Sequence, residues 1–229
     1  ERMEPLPVSR VGSWLIALKP KADNALVRVV YAIAYTDGLK KVTVRSNVTL
    51  RNASSVPVLA RFQVPGRGGV DLAEAVMPGE TKSVPLQYCN SAKLQIRPGH
   101  DSTFAWSDAV LQCGSLSEEK LTVECPDRSA DSVDEERPSW FFHVGVDSVG
   151  EGKLAGRHTI VVSAPFQLEN LLAVPVTYSL WTAAFQLAKD EPLKRAEQVS
   201  LYTVPRKRQL EVSVTLAGFS PSKREPLRG

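Results

Sequence analysis

The side chains of this 229-residue chain best suited to chemistry are three histidines, three cysteines and four tryptophans. His100, His143 and His158 fall in separate segments, with no HxxxH spacing and no carboxylate partner in pattern. Cys89, Cys113 and Cys125 are odd in number and lack the paired spacing of a zinc site. No G-x-S-x-G elbow, Walker loop or post-strand GxGxxG is present. Gly66-Arg67-Gly68-Gly69 follows Pro65 and opens no helix, so it does not read as a phosphate cradle. Trp14, Trp106, Trp140 and Trp181 are dispersed outside basic stretches and read as core, not as stacking platforms. The residues thus offer no catalytic site, no metal site and no cofactor fingerprint, and the chain reads as a non-enzyme. What remains is an asparagine that recurs, Asn52 and Asn170, each at the end of an apolar alternation.

The elements that carry these residues are strands. Val27, Val29, Tyr31, Ile33 and Tyr35 alternate, Asp37-Gly38 marks a two-residue hairpin, and Val42, Val44, Val48 and Leu50 return. Val56, Val58, Ala60, Phe62 and Val64 alternate again. Further strands are expected at 81–88, 93–97, 139–146, 158–166, 174–182, 198–204 and 209–216, with 183–196 the one stretch of helical character. Many short strands between turn signals predict an all-β, antiparallel sandwich fold. Hydrophobic residues at 43% and charged residues at 23% are ordinary for a globular chain. No run approaches 18 apolar residues, so no membrane insertion is expected.

The net charge of +3 gives no case for nucleic acid. It conceals an acidic run: residues 118–136 hold eight acidic side chains against Lys120 and Arg128. Together with Pro126, Ser129 and Ser132, this makes 113–138 read as a mobile, dispensable insertion. Arg206-Lys207-Arg208 reads as a solvated hairpin tip. The odd cysteine count fits a reducing, cytosolic compartment. Two sequons, Asn47-Val48-Thr49 and Asn52-Ala53-Ser54, support the alternative of a secreted, glycosylated adhesion or receptor sandwich.

The strongest signal is internal. Leu50-Arg51-Asn52-Ala53-Ser54-Ser55-Val56-Pro57-Val58 aligns with Leu168-Glu169-Asn170-Leu171-Leu172-Ala173-Val174-Pro175-Val176, sharing Leu, Asn, Val, Pro and Val at an offset of 118. The apolar face stays in phase on both sides: Val44 matches Val162 and Phe62 matches Leu180. Two tandem repeats are expected, over 11–138 and 139–229, behind an N-terminal extension of residues 1–10. Asparagine tolerates unusual dihedrals and bonds nearby backbone, so Asn52 and Asn170 are read as capping a bend, with ligand contact as the second reading.

These segments, above all Ala164-Pro165-Phe166-Gln167-Leu168-Glu169-Asn170-Leu171-Leu172, resemble the adaptor-binding (VAB) region of the vacuolar protein sorting 13 family. The strands at Val199–Val204 and Leu210–Phe219 are similar to the later strands of such a repeat. Ala173 departs from the usual Leu-Leu-Pro. The resemblance implies long, bridge-like lipid-transfer proteins of the cytoplasm. Their adaptor-binding region is a string of six all-β repeats, each with a characteristic Asn that Asn52 and Asn170 match. Organelle adaptors carrying Pro-x-Pro motifs dock there and target the protein to membrane contact sites. The chain also holds that spacing itself, in Glu4-Pro5-Leu6-Pro7-Val8. Residues 3–8, with Pro5, Leu6, Pro7 and Val8 as the motif, are therefore a candidate intramolecular or fused peptide ligand, expected to lie against the second repeat. A native proline-rich linker is the other reading.

Overall fold

The computed structural model describes residues 8–18, 27–64, 69–72, 74–90, 92–99, 103–108, 111–113, 116, 120–127, 139–149, 156–182, 186–203 and 210–227. Its regular structure is almost entirely strand. The first nine strands are β1 Gly12–Leu18, β2 Val27–Thr36, β3 Leu39–Ser46, β4 Val48–Asn52, β5 Val58–Gln63, β6 Gly69–Asp71, β7 Thr81–Ser83, β8 Lys93–Pro98 and β9 Leu111–Gln112. The next nine are β10 Leu121–Pro126, β11 Ser139–Val149, β12 Arg157–Ser163, β13 Phe166–Glu169, β14 Val176–Thr182, β15 Gln186–Leu193, β16 Gln198–Leu201, β17 Leu210–Leu216 and β18 Glu225–Leu227. The one helical turn among the described residues is a 3-10 turn at Leu86–Tyr88. No helix among them is long and apolar enough to cross a membrane.

The strand pairing of β1–β9 is repeated by β10–β18. β1-β2-β3 and β10-β11-β12 are both antiparallel and paired in sequence order. β4 pairs β7 as β13 pairs β16. The order β6-β5-β8-β9 recurs as β15-β14-β17-β18. At the β2–β3 hairpin, Asp37 and Gly38 both take positive φ (51° and 77°), the signature of a type I′ turn whose twist suits the flanking strands.

The two halves interlock. β12 lies beside β4 in parallel, fusing both halves into the five-stranded sheet β10-β11-β12-β4-β7. That sheet and β6-β5-β8-β9 bury one large core, including Leu50, Phe62, Leu94, Ile96, Phe142 and Ile160, all 1% exposed or less. A smaller core gathers Val176, Tyr178, Leu180, Leu193 and Leu210. Residues 139–163 thus pack with residues 48–113, so a division at 138/139 would cut through a sheet. Sequence periodicity places residues on faces but does not say which half supplies the opposing face.

Four local readings change. Within 113–138, Leu121–Pro126 is β10, paired along its length with β11, and Cys113, Val123 and Cys125 are buried. The segment's described part is therefore packed into the core. Its charges outside β10 hid the alternation of Leu121, Val123 and Cys125. The helical reading of 183–196 gives way to β15. Its Ala, Leu, Lys and Glu favour helix in isolation, but pairing with β14 overrides that preference. The run at 81–88 is strand only to Ser83, because Pro85 cannot donate to a ladder. Finally, Val42 and Val44 are 47% and 64% exposed and do not join the core.

Candidate functional site

Asn52 and Asn170 occupy equivalent positions and make nearly the same bonds. Asn52 is fully buried. Its Nδ2 donates to the carbonyls of Val56 (2.7 Å) and Val76 (2.8 Å), and its Oδ1 accepts from the backbone N–H of Ser54 (2.9 Å) and from Ser54 Oγ (2.6 Å). Asn170 Nδ2 donates to Val174 (2.9 Å), Leu193 (3.0 Å) and Lys194 (3.1 Å), and its Oδ1 accepts from Leu172 N–H (3.0 Å). One amide thus ties the bend after the strand to the chain entering β7 or β16. These side chains are spent on backbone and face no open site.

The backbone around each asparagine is copied as well. Asn52 N–H donates to Glu80 and its carbonyl accepts from Gly79; Asn170 does the same with Glu197 and Ala196. Glu80 and Glu197 each turn a carboxylate back to accept the N–H three residues earlier, at 2.8 and 2.6 Å. The third turn residue has positive φ in both, 77° at Gly79 and 57° at Ala196. A Cβ is disfavoured there by about 1–2 kcal/mol. A Cβ added at Gly79 would meet no atom within 4 Å, so the effect is one of backbone alone. Ala196→Gly is expected to raise stability by up to about 1 kcal/mol and Gly79→Ala to lower it by about as much, read from urea midpoints.

Both sequons are closed. Asn47 is 9% exposed and its Nδ2 donates to the Gly156 carbonyl (3.0 Å), while Asn52 is sealed in the network above. A glycan on either would displace packed structure, which removes the support for the adhesion alternative. The three cysteines are free and buried. Burial pushes the thiols of Cys113 and Cys125 up to about 12, so they are inert as nucleophiles near neutral pH. No cluster of His, Cys, Asp and Glu suited to a metal exists among the described residues. His158 Nδ1 pairs with Ser148 Oγ at 2.8 Å, a strand-to-strand bond. Trp106 lies under the guanidinium groups of Arg61 (4.3 Å) and Arg97 (4.7 Å). Pro5, Leu6, Pro7, His100 and Arg206-Lys207-Arg208 lie outside the described residues. Val8 is exposed, and its carbonyl accepts from Lys40 Nζ at 3.4 Å.

An open concavity lies elsewhere among the described residues, where two sheets of the first sandwich end side by side. β6 and β7 are terminal strands, each with one neighbour among the described residues. Between them runs a groove of about 390 Å³ lined by Phe62, Val70, Asp71, Leu72, Glu74, Lys82, Pro85, Gln87 and Tyr88. Phe62 and Tyr88 stack at its base, ring centroids 5.4 Å apart and 9° from parallel. Charged groups form the rim. Lys82 Nζ reaches Glu74 (3.1 Å) and the Ala75 carbonyl (2.9 Å), and Arg61 Nε donates to Asp71 at 2.5 Å. That bond holds the Asp71 carboxyl below the usual range. Leu72 N–H donates inward to Ala60, so by antiparallel alternation the N–H and C=O of Asp71 point away from β5, at the free edge. None of Phe62, Asp71, Lys82 and Tyr88 is marked in the sequence as a site. The one available signal is Pro85, which labels its run as an edge.

An all-β scaffold with an aromatic-floored groove between two free edges is an interaction module in form. The chain belongs to the family of the vacuolar-sorting associated protein 13 adaptor binding domain, whose model matches residues 1–227. It is 27% identical over 209 residues to the intermembrane lipid transfer protein VPS13 of Chaetomium thermophilum, covering 89% of this chain and 6% of that protein. It is 33% identical over 114 residues to the intermembrane lipid transfer protein vps13D of Dictyostelium discoideum, covering 43% of this chain and 2% of that protein. The chain therefore spans a small part of the length of these relatives.

Proposed function

We propose that this adaptor-binding domain takes up Pro-x-Pro segments of organelle adaptors in the groove between β6 and β7, without catalysis of its own. In the cytoplasm it would thereby direct a longer lipid-transfer protein to membrane contact sites. The single observation that carries the reading is an aromatic floor beside an unpaired strand edge. A Pro-x-Pro segment in extended form presents both rings on one face, because side chains two apart share a face. Its prolines lack N–H groups, so only the central residue can both donate to and accept from a neighbouring strand. Asp71 offers one outward N–H and one outward C=O, which matches that single residue. The rings then rest on Tyr88, held from below by its stack on the buried Phe62, as proline-rich ligands rest on aromatic grooves elsewhere.

The test is calorimetric titration of a synthetic Pro-x-Pro peptide into the 229-residue chain. Tyr88→Ala and Asp71→Pro, each checked by melting, are expected to weaken binding at least about tenfold, roughly 1.4 kcal/mol or more. We propose that Pro5-Leu6-Pro7-Val8 competes for the same place, so Pro5→Ala with Pro7→Ala raises the apparent affinity. Unchanged affinity in both groove variants, with folding intact, would sink the proposal.

A further inference from the structure

The sheet that ends at β6 has an outer face built around a tryptophan and two arginines. Ala60, Phe62, Leu94 and Ile96 turn into the core, so by strand alternation Arg61 on β5 and Lys93, Gln95 and Arg97 on β8 turn outward. Trp106 lies against both guanidinium groups, 4.3 Å from Arg61 and 4.7 Å from Arg97. The backbone beside it is fixed to β8. Ser107 N–H donates to the Ile96 carbonyl (3.0 Å), Ile96 N–H donates to Ser107 Oγ (3.0 Å), and Gln95 Nε2 donates to the Ser107 carbonyl (2.7 Å). The face belongs to the first sandwich and is turned away from its core.

The two arginines share one carboxylate. Asp71 accepts from Arg61 Nε and Nη2, at 2.5 and 3.4 Å. That bond is the first cause of its low carboxyl pKa, and the charge of Arg97 adds to it. Arg97 has no ion pair among the described residues, and its buried Nε has no hydrogen-bond acceptor. Lys93 is exposed and likewise unpaired, and Asp108, exposed at the end of the Trp106 segment, pairs with neither arginine. Three cations on this face therefore stand against one carboxylate, an excess of two. A planar guanidinium with free N–H groups, beside an ammonium, is matched by a doubly charged oxyanion.

β6 joins this face to the groove. Val70 and Leu72 line the groove, while the Asp71 side chain turns the other way, to Arg61. A Pro-x-Pro segment paired with the β6 edge, the reading on which this inference rests, turns both prolines to the groove and its central residue to the side of Asp71. The residues just before and just after the motif lie two positions from that central residue and share its face. Both flanks therefore turn toward the cationic face. We propose that the face of Arg61, Trp106, Arg97 and Lys93 receives a phosphate monoester on a serine or threonine flanking the Pro-x-Pro motif, so that phosphorylation of the adaptor strengthens docking. Such a group brings about −1.5 to −2 charges and three acceptor oxygens at neutral pH, which matches the cationic excess. A lipid surface fits less well, because Trp106 is partly buried against the arginines and offers no projecting anchor.

The experiment is calorimetric titration of synthetic peptides containing Ser-Pro-Leu-Pro-Ser into the 229-residue chain. One is unmodified, one carries phosphoserine before the first proline, and one carries it after the second. At least one phosphopeptide is expected to bind about fivefold tighter or more than the unmodified peptide at low salt, the gain shrinking as salt rises. Inorganic phosphate is expected to compete away the gain alone. Arg97→Gln and Lys93→Gln, each checked by melting, are expected to keep the affinity for the unmodified peptide and to lose most of the gain. Lys93→Gln, at an exposed side chain, carries the test if Arg97→Gln does not fold. Equal affinity for all three peptides overturns the inference and leaves the groove reading standing, whereas no binding of any peptide overturns both. A gain that survives in the folded variants overturns it too. So does equal peptide affinity with sedimentation on phosphatidylserine-rich vesicles that Lys93→Gln weakens, which would assign the face to a membrane.

Discussion

A chain in which residues 117–137 are replaced by a short Gly/Ser linker is expected to lose the cooperative fold of its larger sandwich. Loop length itself changes closure entropy only slowly, so the linker is not the cause. The cause is the loss of β10. Val123 (6% exposed) and Cys125 (fully buried) leave the core, and Cys125 Sγ no longer donates to the Ile96 carbonyl at 3.3 Å. β11, which carries Phe142, becomes an edge. Removing two such core side chains costs on the order of 4 kcal/mol before the lost ladder is counted, a large share of a domain's 5–15 kcal/mol. Circular dichroism melting checks this. A cooperative transition within a few degrees of the parent would contradict it.

The second large effect is at Asn52. Asn52→Ala leaves Ser54 N–H without its buried acceptor and takes one donor each from the Val56 and Val76 carbonyls, a loss on the order of 3 kcal/mol. Asn52→Asp is expected to be worse still at neutral pH. It keeps the shape but sets a carboxylate oxygen against the Val56 and Val76 carbonyls, 2.7 and 2.8 Å away. Asn170→Ala acts in the same direction at about 1–2 kcal/mol, since its bend is exposed at Leu171 and Leu172 and water can replace part of what is lost. Chemical denaturation of the three variants gives the order. If Asn52→Asp proves more stable than Asn52→Ala, the donor role assigned to Nδ2 is wrong.

Much of this architecture was legible from residue types. Alternation located most strands, Asp37-Gly38 located a hairpin, and one shared nonapeptide located two equivalent bends. The failures have common physical causes. β10 is too short to stand out among flanking acids, although Leu121, Val123 and Cys125 keep a period of two. β15 is built from helix-favouring residues and is extended because β14 pairs with it. The crossing of β12 to β4 is invisible to any local pattern, since each strand needs only an apolar face and does not encode whose face it meets. The groove was hidden for the same reason. Phe62 and Tyr88 come from different parts of the sandwich, and each alone reads as core.

Binding in the β6–β7 groove is read most directly by amide chemical-shift mapping of the 229-residue chain with an added Pro-x-Pro peptide. Perturbations are expected to centre on Val70, Asp71, Leu72, Lys82 and Tyr88, with Asp71 N–H moving as a newly formed hydrogen bond requires. Saturable shifts confined to other strands, with those five residues unmoved, would contradict it.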